Sequence, residues 1–165
     1  MKIFYVHHAL REKGTPPTQE DNITELGRKD AEINAEIFNE GSKKINIKAI
    51  YSSPFIRCME TARIINKHIN VPIIEDERLN ECGSVVVNGK KETWVECQER
   101  IIASLKDIVF SNDDNDCVLC VTSGVNLTAF ICLAYGIEPS NDLPFPMVAS
   151  CSPIGFNIDK NYFKN

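Results

Sequence analysis

The sequence predicts an α/β fold, a three-layer α/β/α sandwich whose sheet is mainly parallel. Short apolar runs of strand length occur at 3–6, 47–52 and 117–122. Each run is followed by a segment in which apolar residues recur every three or four positions, as in an amphipathic helix. Strands that alternate with helices in this way form a parallel sheet with helices on both faces. No repeat or linker divides the 165 residues, so we expect one domain over residues 1–165.

The first strand ends in His7 and His8, and this end is where ligands bind in open α/β sheets. The polar segment 10–21, with its glycine and prolines, is predicted to be a loop beside His8. Thr24 is a suitable N-cap for the first helix. That helix carries mostly small residues on its apolar face and has a glycine stop at its end; these residues are Gly27, Ala31, Ala35, Phe38 and Gly41.

The second strand is predicted at 47–52, and Ser53-Pro54 opens the second helix. Arg57 lies off the apolar stripe of this helix, in its first turn, so it can turn toward the strand ends. Free amides at the same helix terminus are potential donors to an anion. A short strand at 71–74 and an acidic loop containing Glu81 follow.

The second half of the chain repeats the alternation. A small hairpin is predicted around Asn88-Gly89, and Thr93 can cap a third helix. The strand at 117–122 leads into an apolar helix that Gly136 ends. The proline-rich loop 139–153 is long enough to cover a site, and a last strand at 154–158 completes the sheet.

Charge and composition narrow the range of partners. The net charge is -5 and the pI about 5.2, so no basic stripe is available for nucleic acid. No apolar run reaches the ~20 residues of a membrane span. The chain starts directly with a strand, without a signal-peptide pattern. We therefore expect a cytoplasmic protein that binds neither nucleic acid nor membrane, while its oligomeric state stays open.

The seven cysteines are an odd number without framework spacing, which predicts free thiols in a reducing compartment. Cys117 and Cys120 form a C-x-x-C pattern, but residues three apart in a strand point to opposite faces. We therefore interpret them as small buried residues. No cofactor or metal is expected, because neighbouring histidines in a strand diverge and no partner is spaced for chelation.

Several of these segments resemble the histidine phosphatase superfamily, also called phosphoglycerate mutase-like. The resemblance covers nearly the whole chain and implies that fold. It rests on His7-His8-Ala9, on Ser52-Ser53-Pro54 followed by Arg57 and Thr61-Ala62, on Glu81, and on Thr122-Ser123-Gly124. It implies that His8 is the phosphate-accepting nucleophile, Arg57 binds the phosphate, and Glu81 protonates the leaving oxygen.

The resemblance also implies a weakened phosphate pocket. His7 stands where the family has an arginine, and Ser123 stands where it has a second histidine. A histidine lacks the permanently charged planar fork of an arginine. His7 itself, or Arg11 in the neighbouring loop, could bind the phosphate in compensation, with Lys13 a weaker candidate. The expected partner is a small phosphorylated molecule or phosphate.

Other readings of the same residues remain open. The chain could be a pseudoenzyme that binds a phosphorylated ligand or protein without turnover. Glu81 could be a solvated acid, and Arg57 could pair only with Glu60 on its own helix. Ser123 could be a nucleophile with His8 as its base, although valines replace the glycines of the usual elbow. A mutase is disfavoured, because a bisphosphate calls for more positive charge.

Overall fold

A five-stranded sheet forms the centre of the molecule. The structure, a computed structural model, describes residues 1–12, 19–42, 45–87 and 89–163. The strands are β1 (Lys2–His7), β2 (Ile47–Ser52), β3 (Ile73–Glu75), β6 (Cys117–Thr122) and β7 (Pro153–Asn157), in the spatial order β3-β2-β6-β1-β7. The first four are parallel, and β7 pairs antiparallel with β1 at one edge. The mainly parallel sheet is confirmed.

Four helices cover the sheet, two on each face. They are α1 (Glu25–Ser42), α2 (Ile56–Ile69), α3 (Trp94–Ser111) and α4 (Leu127–Tyr135). Helix α1 packs on α2, and α3 packs on α4. A separate two-stranded hairpin, β4 (Val86–Val87) and β5 (Lys90–Lys91), precedes α3. The predicted α/β/α sandwich is therefore confirmed.

The alternation of side chains along β6 divides the core into two halves. Val118 and Cys120 pack with α3 and α4, whereas Cys117, Leu119 and Val121 pack with α1 and α2. All six residues of β6 are buried, as expected for a central parallel strand. The two cysteines of the C-x-x-C pattern lie in different halves of the core, as predicted.

Most predicted caps occur, with some shifts. Thr24 Oγ1 accepts a hydrogen bond from Gly27 N, and Thr93 forms a capping box with Glu96. Gly136 ends α4 in the left-handed conformation with φ 64°. Gly41, predicted to stop α1, lies inside that helix, since its φ is not positive and the helix continues to Ser42.

Other boundaries move by one to three residues. Helix α2 starts at Ile56 rather than at Pro54, and β3 lies at Ile73–Glu75 rather than 71–74. The predicted turn falls between the two strands of the β4–β5 hairpin, where Gly89 has φ 75°. Asn88, Lys13, Gly14, Pro16 and Pro17 lie outside the described residues.

The expectation that all thiols are free is wrong. Cys82 and Cys97 form a disulfide that joins the loop after β3 to α3. The other five cysteines are free and buried. Sequence spacing could not indicate this pair, because its partners are brought together only by the packing of the loop against the helix. Among the described helices, none is both long and apolar enough to span a membrane.

Candidate active site

The carboxyl ends of three adjacent parallel strands, β2, β6 and β1, meet at one edge of the sheet. His7 lies opposite Thr122 in the β1–β6 register. His8 N donates to Thr122 O at 2.9 Å, and Ser53 N donates to Val121 O at 3.1 Å. The chain segments that follow these strands therefore start side by side. This common edge brings residues 8, 53 and 123 together although they are far apart in sequence.

His8 is a buried neutral imidazole with a defined tautomer. The residue is 6% exposed, and its Nδ1 lies 2.8 Å from Ala9 O. Since a carbonyl only accepts, Nδ1 carries the proton. Arg57 Nε donates to His8 Nε2 at 3.1 Å, so the Nε2 lone pair points toward the guanidinium. Burial, followed by the nearby His7 and by Arg57, lowers the pKa of His8 to about 3.

Arg57 joins His8 to Glu81. Arg57 is 1% exposed, and its guanidinium lies 4.8 Å from the centroid of the Phe55 ring. Its Nη2 group donates a hydrogen bond to Glu81 Oε2 at 2.5 Å. The Glu81 side chain is 30% exposed and compensates the buried positive charge. Glu81 is thus no isolated solvated acid. The three residues expected to do the chemistry form one hydrogen-bonded chain, His8–Arg57–Glu81.

Thr61 fixes the geometry between His8 and Arg57. Its hydroxyl accepts a hydrogen bond from Ala9 N at 2.9 Å and donates one to Arg57 O at 2.7 Å. Both bonds are buried, so each contributes to holding the end of β1 against α2. The sequence singled out Thr61 as part of a motif but gave it no role.

A polar network missed from the sequence holds the loop that carries Glu81. Thr122 Oγ1 donates to Leu79 O at 2.5 Å, and Asn126 Nδ2 donates to the same carbonyl at 3.1 Å. Asn126 Oδ1 in turn accepts from Cys82 N at 3.2 Å. The carbonyl and amide groups on either side of Glu81 are thereby fixed to the end of β6. A buried asparagine just after a strand was the only signal available in the sequence.

His7 is bound to the covering loop. Its Nδ1 donates to the carbonyls of Val148 at 3.1 Å and Ala149 at 3.2 Å, and its ring contacts the His8 ring with centroids 4.5 Å apart. A Cβ added to Gly124 would lie only 3.1 Å from His7 Cε1. Burial lowers the pKa of His7, so this side chain supplies no charge at neutral pH. The loop 139–153 does cover part of the site, as predicted.

Ser123 is buried at the end of β6, 1% exposed. Within the described part of the chain its Oγ is the one fully buried side-chain oxygen or nitrogen without a hydrogen-bond partner. The Ser123 carbonyl accepts from the Tyr5 hydroxyl at 3.1 Å. Ser123 Oγ makes no hydrogen bond to His8, whose Nε2 accepts from Arg57 instead, so this geometry does not support Ser123 as a nucleophile activated by His8.

Arg11 is engaged in an ion pair. Its NH1 group donates to Asp21 Oδ2 at 2.9 Å and to Glu12 O at 3.0 Å. Its positive charge is the last of the influences that lower the pKa of His8, behind burial, His7 and Arg57. Compensation of the phosphate pocket by Arg11 therefore stays a prediction.

An open pocket of about 340 Å³ lies in front of Arg57. Glu81 and Lys91 also line this pocket, with Gln19 at its rim. Gln19 O accepts a hydrogen bond from Ile56 N at 3.1 Å. The first amide of α2 is therefore not free for an anion, in contrast to the expectation from the sequence. His8 lies behind Arg57 and does not line the pocket.

Glu60 binds helix α1 and the segment that precedes it. It accepts from Arg28 NH2 at 2.5 Å and from Ile23 N at 2.8 Å. The pairing of Arg57 with Glu81 overturns the reading in which Arg57 pairs only with Glu60. Among the described residues, the group of side chains close enough to share a metal ion is Cys82, Glu92 and Cys97, and two of these are joined in the disulfide.

Comparisons with known proteins relate both the sequence and the fold to phosphatases. The sequence model of the histidine phosphatase superfamily (branch 1) matches residues 11–92, which include Arg57 and Glu81. A protein of Hydrogenobacter thermophilus with the provisional name phosphoserine phosphatase 2 is 29% identical over 171 aligned positions, covering 85% of this chain and 81% of the relative.

Solved structures share the fold. YhfR of Bacillus stearothermophilus superposes with a TM-score of 0.78 at 22% identity, over 96% of this chain and 91% of that one. The protein histidine phosphatase SixA, solved with tungstate, superposes with a TM-score of 0.73 at 16% identity, over 98% of this chain and 90% of that one. Together the matched sequence model and these solved structures identify the fold as the phosphoglycerate mutase-like fold of the histidine phosphatase superfamily.

Proposed function

We propose that the protein hydrolyses a small phosphomonoester through a phosphohistidine intermediate on His8, using a weakened phosphate pocket. The proposal rests on one observation, the 3.1 Å hydrogen bond from Arg57 Nε to His8 Nε2. It places the lone pair of a neutral imidazole directly beside a buried guanidinium, and the two groups must separate to admit a phosphoryl group. Such a pair offers a nucleophile and an oxyanion donor in one place.

The reaction begins with an exchange of partners at Arg57. The substrate phosphate takes the place of the Glu81 carboxylate and of the His8 lone pair on the guanidinium. The displaced Glu81 carboxylate takes up a proton from solvent. His8 Nε2 then attacks phosphorus, the bond to the ester oxygen breaks, and that oxygen takes this proton from Glu81. Ala9 O keeps the Nδ1 proton of His8 in place throughout. In the second half, Glu81 removes a proton from water, which attacks the phosphohistidine and releases phosphate.

The weakened pocket limits the rate without excluding turnover. Removal of one oxyanion donor typically costs about 100- to 1,000-fold in rate. Neutral His7 and short Ser123 each replace a stronger donor in the family pattern, so two losses cost about 10⁴-fold or more, although such effects do not simply add. Enzymes accelerate phosphate monoester hydrolysis by up to about 10²¹-fold, which leaves a measurable activity after that loss.

The second candidate is a pseudoenzyme that binds a phosphorylated ligand or protein without turnover. The observation favouring it is that His8, Arg57 and Glu81 already satisfy one another. A ligand phosphate must break the hydrogen bond between Arg57 and His8 before it meets the imidazole. A mutase is less favoured, because holding a bisphosphate calls for more cationic groups than Arg57 and Lys91 offer.

Phosphorylation of His8 separates the two candidates. The provisional name of the Hydrogenobacter relative makes phosphoserine the first member of the phosphoester panel. We expect an acid-labile, base-stable phosphate on the protein in rapid-quench samples, absent from His8→Ala and retained in His68→Ala. His68 is a matched control, since it is a partly exposed histidine near the end of α2, where it is bound to Glu32 of α1. Phosphate binding without any labelling or release of product would favour the pseudoenzyme.

A further inference from the structure

The disulfide between Cys82 and Cys97 lies directly beside the proposed acid. Cys82 follows Glu81 in the chain, and Cys97 is in the first turns of α3. The bond therefore ties the backbone that positions the Glu81 carboxylate to a helix of the opposite layer. No part of the proposed reaction uses this bond, which leaves its role unassigned.

The two sulfurs sit in different surroundings. Cys82 is partly exposed, whereas Cys97 is 0% exposed. Arg100 NH2 lies 3.6 Å from Cys97 Sγ. The guanidinium in contact with Cys97 Sγ favours a thiolate there, against the Glu92 carboxylate that lies within 4.8 Å of both sulfurs. The better stabilised thiolate is the better leaving group in exchange. An external thiolate that attacks Cys82, the less buried of the two residues, would thus displace the Cys97 sulfur, which is the better able to leave.

Arg100 also holds the loop itself. It donates to Arg78 O at 2.5 Å and to Asn80 O at 3.2 Å, and it pairs with Glu92. Glu92 Oε1 accepts in turn from Gly83 N at 3.2 Å. Arg100, which lies next to the buried Cys97 sulfur, is therefore also the side chain that hydrogen-bonds the backbone just before Glu81. A new negative charge on Cys97 would draw on the same guanidinium.

We propose that Cys82–Cys97 is a thiol–disulfide exchange site, through which a dithiol reductant loosens the loop bearing Glu81. The attacking thiolate forms a mixed disulfide with Cys82, and the electron pair of the broken bond goes to Cys97 Sγ. The second thiolate of the reductant then displaces Cys82. The reductant ends as a disulfide, and its two protons end on the two cysteines.

Loosening the loop has opposite effects on binding and turnover. Glu81 competes with an oxyanion for Arg57, so a freer Glu81 leaves Arg57 more available. We expect tungstate to bind at least about threefold more tightly to the reduced protein. Turnover is expected to fall by about tenfold to 100-fold, because the acid is less well positioned. This last expectation rests on the proposed function, whereas the chemistry at sulfur does not.

The test uses the whole folded protein with and without dithiothreitol. Alkylation followed by peptide mapping should find Cys82 and Cys97 modified only after reduction, with the five buried cysteines protected. Tungstate affinity is then measured by calorimetry for both forms and for the Cys82→Ala/Cys97→Ala variant, which should bind like the reduced protein and ignore the reductant. Arg100→Gln should slow reduction by about three- to tenfold, because the leaving thiolate loses its counter-charge.

The outcomes are distinct. A disulfide that stays closed in the folded protein, or a reduced protein whose tungstate affinity is unchanged, overturns the proposal. Reduction of Arg100→Gln at the wild-type rate overturns the assignment of Cys97 as the leaving thiolate, and with it the proposed route. Capture of Zn²⁺ by the reduced pair with Glu92, blocking reoxidation, would replace it with a metal site. Tighter tungstate binding to the reduced form, with no turnover in either form, supports the exchange site and contradicts the proposed phosphatase activity.

Discussion

At the residue scale, Arg57 is the residue whose hydrogen-bond partners must change when a phosphate binds. Its Nε group is bonded to His8 and its NH2 group to Glu81, and the residue is almost completely buried. A phosphate cannot reach this guanidinium without displacing at least one of those partners. In the proposed reaction Glu81 therefore has two opposing effects, since as an anion it competes with the substrate and as an acid it assists the leaving oxygen.

Glu81→Gln should separate these two effects. Removal of the carboxylate charge should make inorganic phosphate and tungstate bind more tightly to Arg57. Hydrolysis of phosphoserine, whose leaving alkoxide needs a proton, should fall by about 10²- to 10⁴-fold. Hydrolysis of p-nitrophenyl phosphate should fall much less, because p-nitrophenolate leaves without a proton. Both quantities can be measured by calorimetry and steady-state kinetics.

The matched control is Glu77→Gln, an exposed acid in the same loop that should change neither quantity. If Glu81→Gln lowered the hydrolysis rates of phosphoserine and p-nitrophenyl phosphate equally and weakened tungstate binding, Glu81 would act by positioning Arg57 and not as the acid.

His8 makes the stability of the protein depend on pH. Its folded pKa of about 3 lies below its ordinary 6.5, so between these values the unfolded chain binds a proton that the folded chain does not. Stability is therefore lost as the pH falls through this window. We expect the His8 contribution to lower the free energy of unfolding by about 2 kcal/mol at pH 5 relative to pH 7.

Urea denaturation of the wild type and of His8→Asn at both pH values measures this term. The variant should lose about that much of the pH dependence, with the shifted pKa of His7 accounting for a part that remains. Equal pH dependence in the two proteins would mean that His8 is protonated or exposed when folded, and the neutral nucleophile would be lost with it.

At the element scale, the docking of α1 shows why a glycine can be essential in a helix. A Cβ on Gly27 would lie 2.4 Å from Leu10 O, a backbone atom that also accepts from Thr24 N. We expect Gly27→Ala to destabilise the protein by about 1–3 kcal/mol, although alanine is the better helix former. Leu10 follows the site segment 7–9, so the substitution should also impair phosphate binding.

Gly41→Ala is the control in the same helix. A Cβ there would meet only Ile45 side-chain atoms at 3.6 Å or beyond, an ordinary contact. This variant should be neutral or more stable by up to about 1 kcal/mol, because alanine loses less backbone freedom on folding. Thermal melts of both variants test the pair. A Gly27→Ala protein as stable as the wild type would show that the loop at Leu10 can move away.

The sequence allowed the elements to be predicted better than the contacts between them. Strand ends, helix caps and the turn of Arg57 away from its apolar stripe follow from local periodicity, so they could be predicted. The Cys82–Cys97 bond, the Asn126 network and the clamp of Val148 on His7 depend on loops that meet only in the folded chain. The pairing of Arg57 with Glu81 instead of Glu60 also depends on the folded chain, because the sequence alone allows either acid as the partner of Arg57.

At the scale of the whole molecule, the proposed anion site lies in a protein whose net charge is -5. Long-range repulsion of a phosphate must be overcome locally by Arg57, which is buried and hydrogen-bonded to His8 and Glu81. A ligand bound there would meet Arg57 in α2 and the loop after β3 that carries Glu81, so binding should stabilise the entire fold. This coupling gives a test of the site that does not require turnover.

Tungstate at about 100 times its dissociation constant should stabilise the folded protein by about 2.7 kcal/mol. For a chain of this length that corresponds to a rise in Tm of about 5–10 °C. Arg57→Gln should abolish the rise, and sodium chloride at equal ionic strength should not produce it. Arg11→Ala decides the remaining candidate. A full rise removes Arg11 from the pocket, in keeping with its ion pair to Asp21, whereas a halved rise would make it the second guanidinium. If Arg57→Gln retained the whole shift, the anion would bind elsewhere, and neither the phosphatase nor the pseudoenzyme could use this site.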